Sequence, residues 1–337
     1  MTRARLGLGL LLATSAITPA FADFVSGLAW PSGSTEGGGS DCLGTFRNHP
    51  LDVGVNYVGH GSFAAMVSQT RPGGVFADTA KQAPLWVVTL PLLTDDTAGQ
   101  FAQCSAGAYD ASWQQIGANL GASGAQAVVV RLGPEANGGS GHAWVVKTGQ
   151  AQDYVACWRH AAGQLKSAAP GLSLEWTSSK KTPNTALHVL PWYQDDPAGL
   201  YPGDDVVDVI GVHYYDSGPE MNTQARWDSA YTRTFNGGPW GLGTWLQAAR
   251  QHGKRLAVSE WGIWQQGGQT AAAADDSVYV DNMFRFFGAN AADIAYESYF
   301  NKLSVHQLCP STLFPNAATK YQTDWGLGVT AARSASR

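Results

Sequence analysis

Breaking an acetal requires two carboxyl groups in different states, an acid to protonate the leaving oxygen and an anion to attack or stabilise the anomeric carbon. The 337-residue chain has six glutamates from which to draw such a pair: Glu36, Glu135, Glu175, Glu220, Glu260 and Glu297. Glu36 and Glu220 fall in loop sequence, and strand-like residues continue beyond Glu175 and Glu297. Glu135 follows the apolar run Ala-Val-Val-Val and is succeeded by Ala-Asn-Gly-Gly, while Glu260 follows Leu-Ala-Val-Ser and is succeeded by Trp-Gly. Both stand where a strand gives way to loop. A carboxylate at the end of a buried strand is costly unless it is paired or used. Its structural alternatives are an ion pair or a cap on the following helix. As a pair, Glu135 and Glu260 read as acid/base and nucleophile, with Tyr214 or Tyr215 as a hydroxyl able to hold one of them ionised.

Apolar β-rich runs begin at Asp52, Pro84, Ala125, Leu172, Asp205, Arg255 and Asp293 and alternate with longer Ala-rich helical patterns. This rhythm is that of βα units. Runs such as Val128–Val130 are apolar at consecutive positions, as in a parallel sheet covered on both faces. Seven strands are plain and eight would close a (β/α)8 barrel; the weak stretch from Gln100 to Ala108 is the remaining candidate, as the third strand. No glycine-rich turn follows Val58, which argues against an open dinucleotide-binding sheet. The barrel reading places catalysis at the C-terminal ends of the strands.

The segments Val128–Gly139, with Trp144 following, and Leu256–Gly262 resemble the acid/base and nucleophile strands of glycoside hydrolase clan A, most closely family 26, which holds β-mannanases and β-1,3-xylanases. Arg131, Glu135, Asn137 and Gly138 match its Arg-x-x-His-Glu-x-Asn-Gly pattern, with Pro134 in the histidine's place. Glu260, Trp261 and Gly262 match its Glu-aromatic-Gly pattern. The resemblance spans most of residues 45–301 and implies that the two glutamates end the fourth and seventh strands, that the run at Asp52 is the first strand, and that reaction proceeds with retention. The segment Asp208–Asp216 is similar to the clan's sixth strand, whose aromatic hydroxyl touches the nucleophile. Strand parity turns His213 and Tyr215 the same way, inward.

Aromatic side chains at strand ends, Trp144, Trp192, Tyr193, Trp261, Trp264 and Tyr299, are candidates for stacking on sugar rings, with Trp261 and Tyr299 preferred because they flank the seventh and eighth strand ends. Asp216 is a candidate partner for a sugar hydroxyl. The substrate-binding set is thus Arg131, Asn137, Trp144, His213, Tyr215, Trp261 and Tyr299. The eight histidines have no metal-ligand spacing, and no metal or other cofactor is expected. No serine-hydrolase elbow occurs.

Composition agrees with a neutral ligand: 14% of residues are charged, against 13 Trp, 12 Tyr and 12 Phe, and the net charge of -5 offers nothing to nucleic acid. Residues 1–22, with Arg3 and Arg5 ahead of an apolar run, read as a secretory signal peptide, leaving residues 23–337 as one barrel domain with a Gly/Ser-rich lead. The expected mature protein is secreted, monomeric and without a membrane anchor. Its four cysteines, Cys42, Cys104, Cys157 and Cys309, are expected as two disulfides in one of three pairings. The expected activity is endo-hydrolysis of a β-linked polysaccharide, β-mannan first and β-1,3-xylan or a β-glucan next. The rival from another class is a non-catalytic glycan-binding barrel.

Overall fold

The computed structural model describes residues 24–35, 42–138, 141–180, 199–216, 220–235, 238–310 and 312–327. Eight parallel strands close a barrel in sequential order: β1 (Ser32–Ser34), β2 (Val53–Tyr57), β3 (Leu85–Leu90), β4 (Val128–Leu132), β5 (Ser173–Ser179), β6 (Val209–Asp216), β7 (Arg255–Ile263) and β8 (Ile294–Tyr299), with β8 pairing back to β1. Helices between the strands cover the outside, the longest being α1 (Asp110–Gly121), α2 (Ala151–Ala168), α3 (Leu242–Gln251) and α4 (Ser277–Ala289). This is the expected (β/α)8 barrel.

The strand count is met differently from the sequence expectation. Residues Phe101–Ser105 are helical, so the stretch from Gln100 to Ala108 is not a strand. The eighth strand lies instead in the Gly/Ser-rich lead, as Ser-Gly-Ser, and the run at Asp52 is the second strand rather than the first. The two shifts cancel: Glu135 follows the fourth strand and Glu260 lies on the seventh. A three-residue strand of small polar residues has no apolar pattern to betray it. What makes it a strand is fit, because a Cβ on Gly33 would stand 2.1 Å from the Val53 carbonyl oxygen, so only glycine lets β1 approach β2 this closely.

Val53, Val55, Leu85, Val87, Val129, Val209, Ala257, Ala295 and Tyr296 plug the lower barrel with one apolar cluster. Further along the same strands the inward-facing rows turn polar, with Tyr57, Thr89 and Arg131 next and His213 after Gly211. The barrel interior therefore changes from hydrocarbon below to charge above, toward the C-terminal mouth. Larger apolar residues fill the layer between strands and helices. Two disulfides, Cys42–Cys309 and Cys104–Cys157, settle the pairing, and no cysteine is free among the described residues. No described helix is long and apolar enough to cross a membrane. Residues 1–22, assigned to a signal peptide, lie outside the described residues.

Candidate active site

Simple alternation would put Glu260 on the wrong side of the barrel wall, because Ala257 belongs to the interior cluster and Glu260 is three residues on. β7 carries an irregularity that corrects this. Against β6 the register passes from Gly211 with Ala257 to His213 with Glu260, and against β8 from Glu297 with Val258 to Tyr299 with Trp261. On both sides two residues of the neighbour span three of β7, the signature of a β-bulge, which re-aims side chains beside active sites. Glu260 is thereby turned into the barrel and Trp261 outward.

Four side chains converge on the Glu260 carboxyl, which is buried. Tyr57 donates to Oε1, Arg131 Nη1 donates to Oε1 at 3.0 Å, Tyr215 donates to Oε2 at 2.8 Å, and His213 Nδ1 lies 3.4 Å from Oε2. Burial alone would push this carboxyl up. The imidazole of His213 and the guanidinium of Arg131, followed by the two phenol hydroxyls, outweigh it and hold Glu260 below the usual carboxylate range. Burial and the Glu260 charge in turn keep Tyr57 and Tyr215 well above the ordinary phenol value, so both remain donors.

Glu135 stands beyond the end of β4, in a turn, and adopts the left-handed backbone region at φ 58°. That conformation is uncommon outside glycine and must be fixed by its surroundings. The turn is pinned on several sides. Glu135 N donates to Thr177 O at 3.0 Å, Trp144 Nε1 to Pro134 O at 2.7 Å and Val146 N to Ala136 O at 2.9 Å. Asn137 exchanges two bonds with the Ser179 backbone on β5. The side chain of Glu135 is about a quarter exposed, unlike that of Glu260, and its Oε1 lies 2.9 Å from His213 Nδ1. One imidazole nitrogen thus faces both carboxylates, and the two oxygens that share it are no more than 6.3 Å apart.

The sequence-selected residues separate into three groups. Arg131, His213 and Tyr215 touch one or both glutamates. Asn137 and Trp144 hold the Glu135 turn; the Trp144 ring is buried and one face is covered by His142, stacked with centroids 4.4 Å apart. Trp261 and Tyr299, preferred as sugar platforms, are instead fully buried outside the barrel wall, packed on each other and on Tyr321, with Trp325 stacked on Trp261. The bulge and the odd spacing of strand residues put them there, with no face open to a ligand. Asp216 is also buried and turned outward, toward Asp276 at the start of α4; burial and that second carboxyl push it up to about 8. Trp192 and Tyr193 lie outside the described residues.

Several residues at the mouth were not singled out by sequence. Tyr57 ends β2 and completes the Glu260 cage; its position after Val53 and Val55 on one strand face was the available signal. Phe300 packs edge-on to Tyr57 and Tyr215, with Lys302 over the Tyr57 ring. Trp264, an aromatic the sequence did flag, is 39% exposed beside Tyr215 and His306 and is an open indole among the described residues. The described residues contain no cluster of three or more potential metal ligands.

No protein-family model and no curated protein sequence matches the chain. Solved structures do. GH26C from a Muricauda species superposes with a TM-score of 0.59 at 14% identity, over 89% of this chain and 86% of that one. A double mutant of the Cellulomonas fimi endo-β-1,4-mannanase gives 0.60 at 16% identity, over 90% and 72%. The catalytic domain of a Bacillus GH26 endo-β-1,4-mannanase gives 0.56 at 15% identity, over 90% and 91%. At such identities the likeness is one of fold, and the fold is that of family 26 glycoside hydrolases.

Proposed function

We propose that this protein is a secreted retaining endo-β-glycanase that hydrolyses β-mannan, with Glu135 as acid/base and Glu260 as nucleophile. The observation that carries the reading is the pair of glutamates facing one imidazole, one caged and ionised, the other at the mouth. Carboxyl groups about 5–5.5 Å apart suit direct attack on the sugar, whereas inverting pairs stand about 6.5–9.5 Å apart to admit a water between them. Both carboxylates turn an oxygen to the same His213 nitrogen, at 2.9 and 3.4 Å, which suits the closer of the two arrangements.

In the first step a Glu260 oxygen attacks the anomeric carbon while Glu135 gives its proton to the departing glycosidic oxygen. A covalent glycosyl ester forms and the leaving chain departs as an alcohol. Glu135, now ionised, removes a proton from water, whose oxygen attacks the same carbon and releases Glu260. Two inversions give net retention. His213, between the carboxylates, is suited to ease the transfer of negative charge from one to the other. Arg131 and the hydroxyls of Tyr57 and Tyr215 fix Glu260 on its line of attack, and the exposed Trp264 offers an apolar face for a pyranose ring. β-Mannan is favoured because the mannanases among the structural neighbours share the whole barrel, and secretion rests on the N-terminal sequence and the two disulfides.

The test is reducing-end release from β-mannan, β-1,3-xylan and mixed-linkage β-glucan. Glu135→Ala and Glu260→Ala should each lose about three orders of magnitude or more in kcat, and azide should rescue Glu260→Ala with a product of inverted configuration. Proton NMR of the first wild-type product should show the β anomer. Unchanged rates in either variant would refute the pair, and tight binding of one glycan without hydrolysis would make the protein a binding barrel.

A further inference from the structure

Below Glu260 lies a second carboxylate that the mechanism does not use. Glu175, on β5, is fully buried and faces Arg131 in strand register, with Oε1 3.5 Å from Arg131 Nε. Thr177 donates to Oε1 and the Tyr296 hydroxyl to Oε2. Arg131 Nη2 donates to Ser259 O at 2.7 Å and to Tyr296 at 3.2 Å, which leaves Nη1 for Glu260. The guanidinium is therefore clamped between two carboxylates, one at the mouth and one in the barrel. Space for the lower one is reserved by the neighbouring strand: a Cβ on Gly211 of β6 would stand 2.3 Å from Glu175 Oε1 and 2.5 Å from Thr177 Oγ1. A fully buried carboxylate with its own cavity is expensive to keep for packing alone.

We propose that Glu175 is a positioning residue for Glu260, acting through Arg131: it aims Nη1 at the nucleophile and takes up part of the guanidinium's charge. This inference rests on the reading of Glu260 as nucleophile. An Arg131 facing Glu260 alone would bind that carboxylate too strongly and blunt its attack on carbon. With Glu175 on the opposite side, the guanidinium orients Glu260 while giving it only part of a charge. The groups facing Glu260 that also titrate or carry charge are Tyr57 from β2, Arg131 and Glu135 from β4 and its turn, and His213 and Tyr215 from β6, with His142 and His306 further out. Glu175 reaches it only through Arg131.

The experiment is carboxyl 13C NMR titration of Glu260, assigned with Glu260→Gln, alongside the pH profile of kcat/KM on β-mannan. In Glu175→Gln the titration midpoint of Glu260 and the acid limb should both fall by about one pH unit, and kcat should drop about tenfold with KM little changed. Thr177→Val frees Glu175 from a hydroxyl that does not touch Arg131 and leaves more of its charge to the guanidinium, so the midpoint should rise. A role in packing alone would lower the melting temperature of both variants without moving either midpoint, and that result overturns the proposal. Should Glu175→Gln fail to fold, the direction of the Thr177→Val shift decides. If the wild type hydrolyses no glycan yet the midpoints move in these opposite directions, the functional reading fails and the coupling stands. If β-mannan is hydrolysed and the midpoints stay fixed, the coupling alone falls.

Discussion

Glu260 is buried and yet ionised because its partners outnumber its desolvation. Removing one of them should be visible in the pH dependence. Tyr215→Phe deletes a single hydroxyl 2.8 Å from Oε2 and leaves the ring in place. The proposed mechanism needs Glu260 ionised, so kcat/KM should fall as pH drops through its pKa; losing a hydrogen bond that favours the anion raises that pKa. The acid limb in Tyr215→Phe should therefore move up by about one unit, opposite to the shift expected for Glu175→Gln. An unmoved limb would mean that the hydroxyl does not tune Glu260. Glu135, about a quarter exposed, has no such cage, which suits the acid/base role proposed for it.

At the scale of elements, two irregular features place the site. The bulge in β7 decides that Glu260, and not Ser259, projects toward Arg131, while the Ser259 carbonyl accepts the second bond of the same guanidinium. β1 closes the barrel with three small residues, and its contact with β2 depends on Gly33. Gly33→Ala sets a Cβ within 2.5 Å of the Val53 Cβ as well as against its carbonyl, and neither backbone can yield without breaking the ladder. The expected loss is about 3 kcal/mol, read from a urea titration. A loss below 0.5 kcal/mol, about the size of an ordinary surface substitution, would show that the seam tolerates separation.

For the whole molecule, the two disulfides differ in what they span. Cys42–Cys309 joins the chain just after β1 to the loop after β8 over 267 residues, whereas Cys104–Cys157 spans 53. Cross-links act on the unfolded chain, and the larger loop removes more entropy from it, by about 1.4 kcal/mol in the chain-entropy account. Replacing Cys42 and Cys309 by serine should accordingly lower the calorimetric melting temperature more than replacing Cys104 and Cys157. The reverse order would indicate that local packing around the shorter bridge dominates.

The sequence by itself determined the alternation of strands and helices and the barrel, because apolar runs are local signals, and it singled out two glutamates as strand-end carboxylates; Glu135 does follow its strand, whereas β7 runs on to Ile263 beyond Glu260. It also marked Arg131, His213 and Tyr215, through motif and parity. Contacts between distant segments decided the rest. Ser32–Ser34 is a strand only because β2 and β8 flank it, and its composition carries no β signal. Trp261 and Tyr299 flank strand ends and so read as sugar platforms; one extra residue in β7 turned Glu260 in and Trp261 out. Tyr57 and Glu175 became neighbours of the site only when β2 and β5 were brought beside β4 and β7. Periodicity fixes which residues share a face of one strand, but the register between strands fixes which carboxylate meets which cation, and that is a property of the closed barrel.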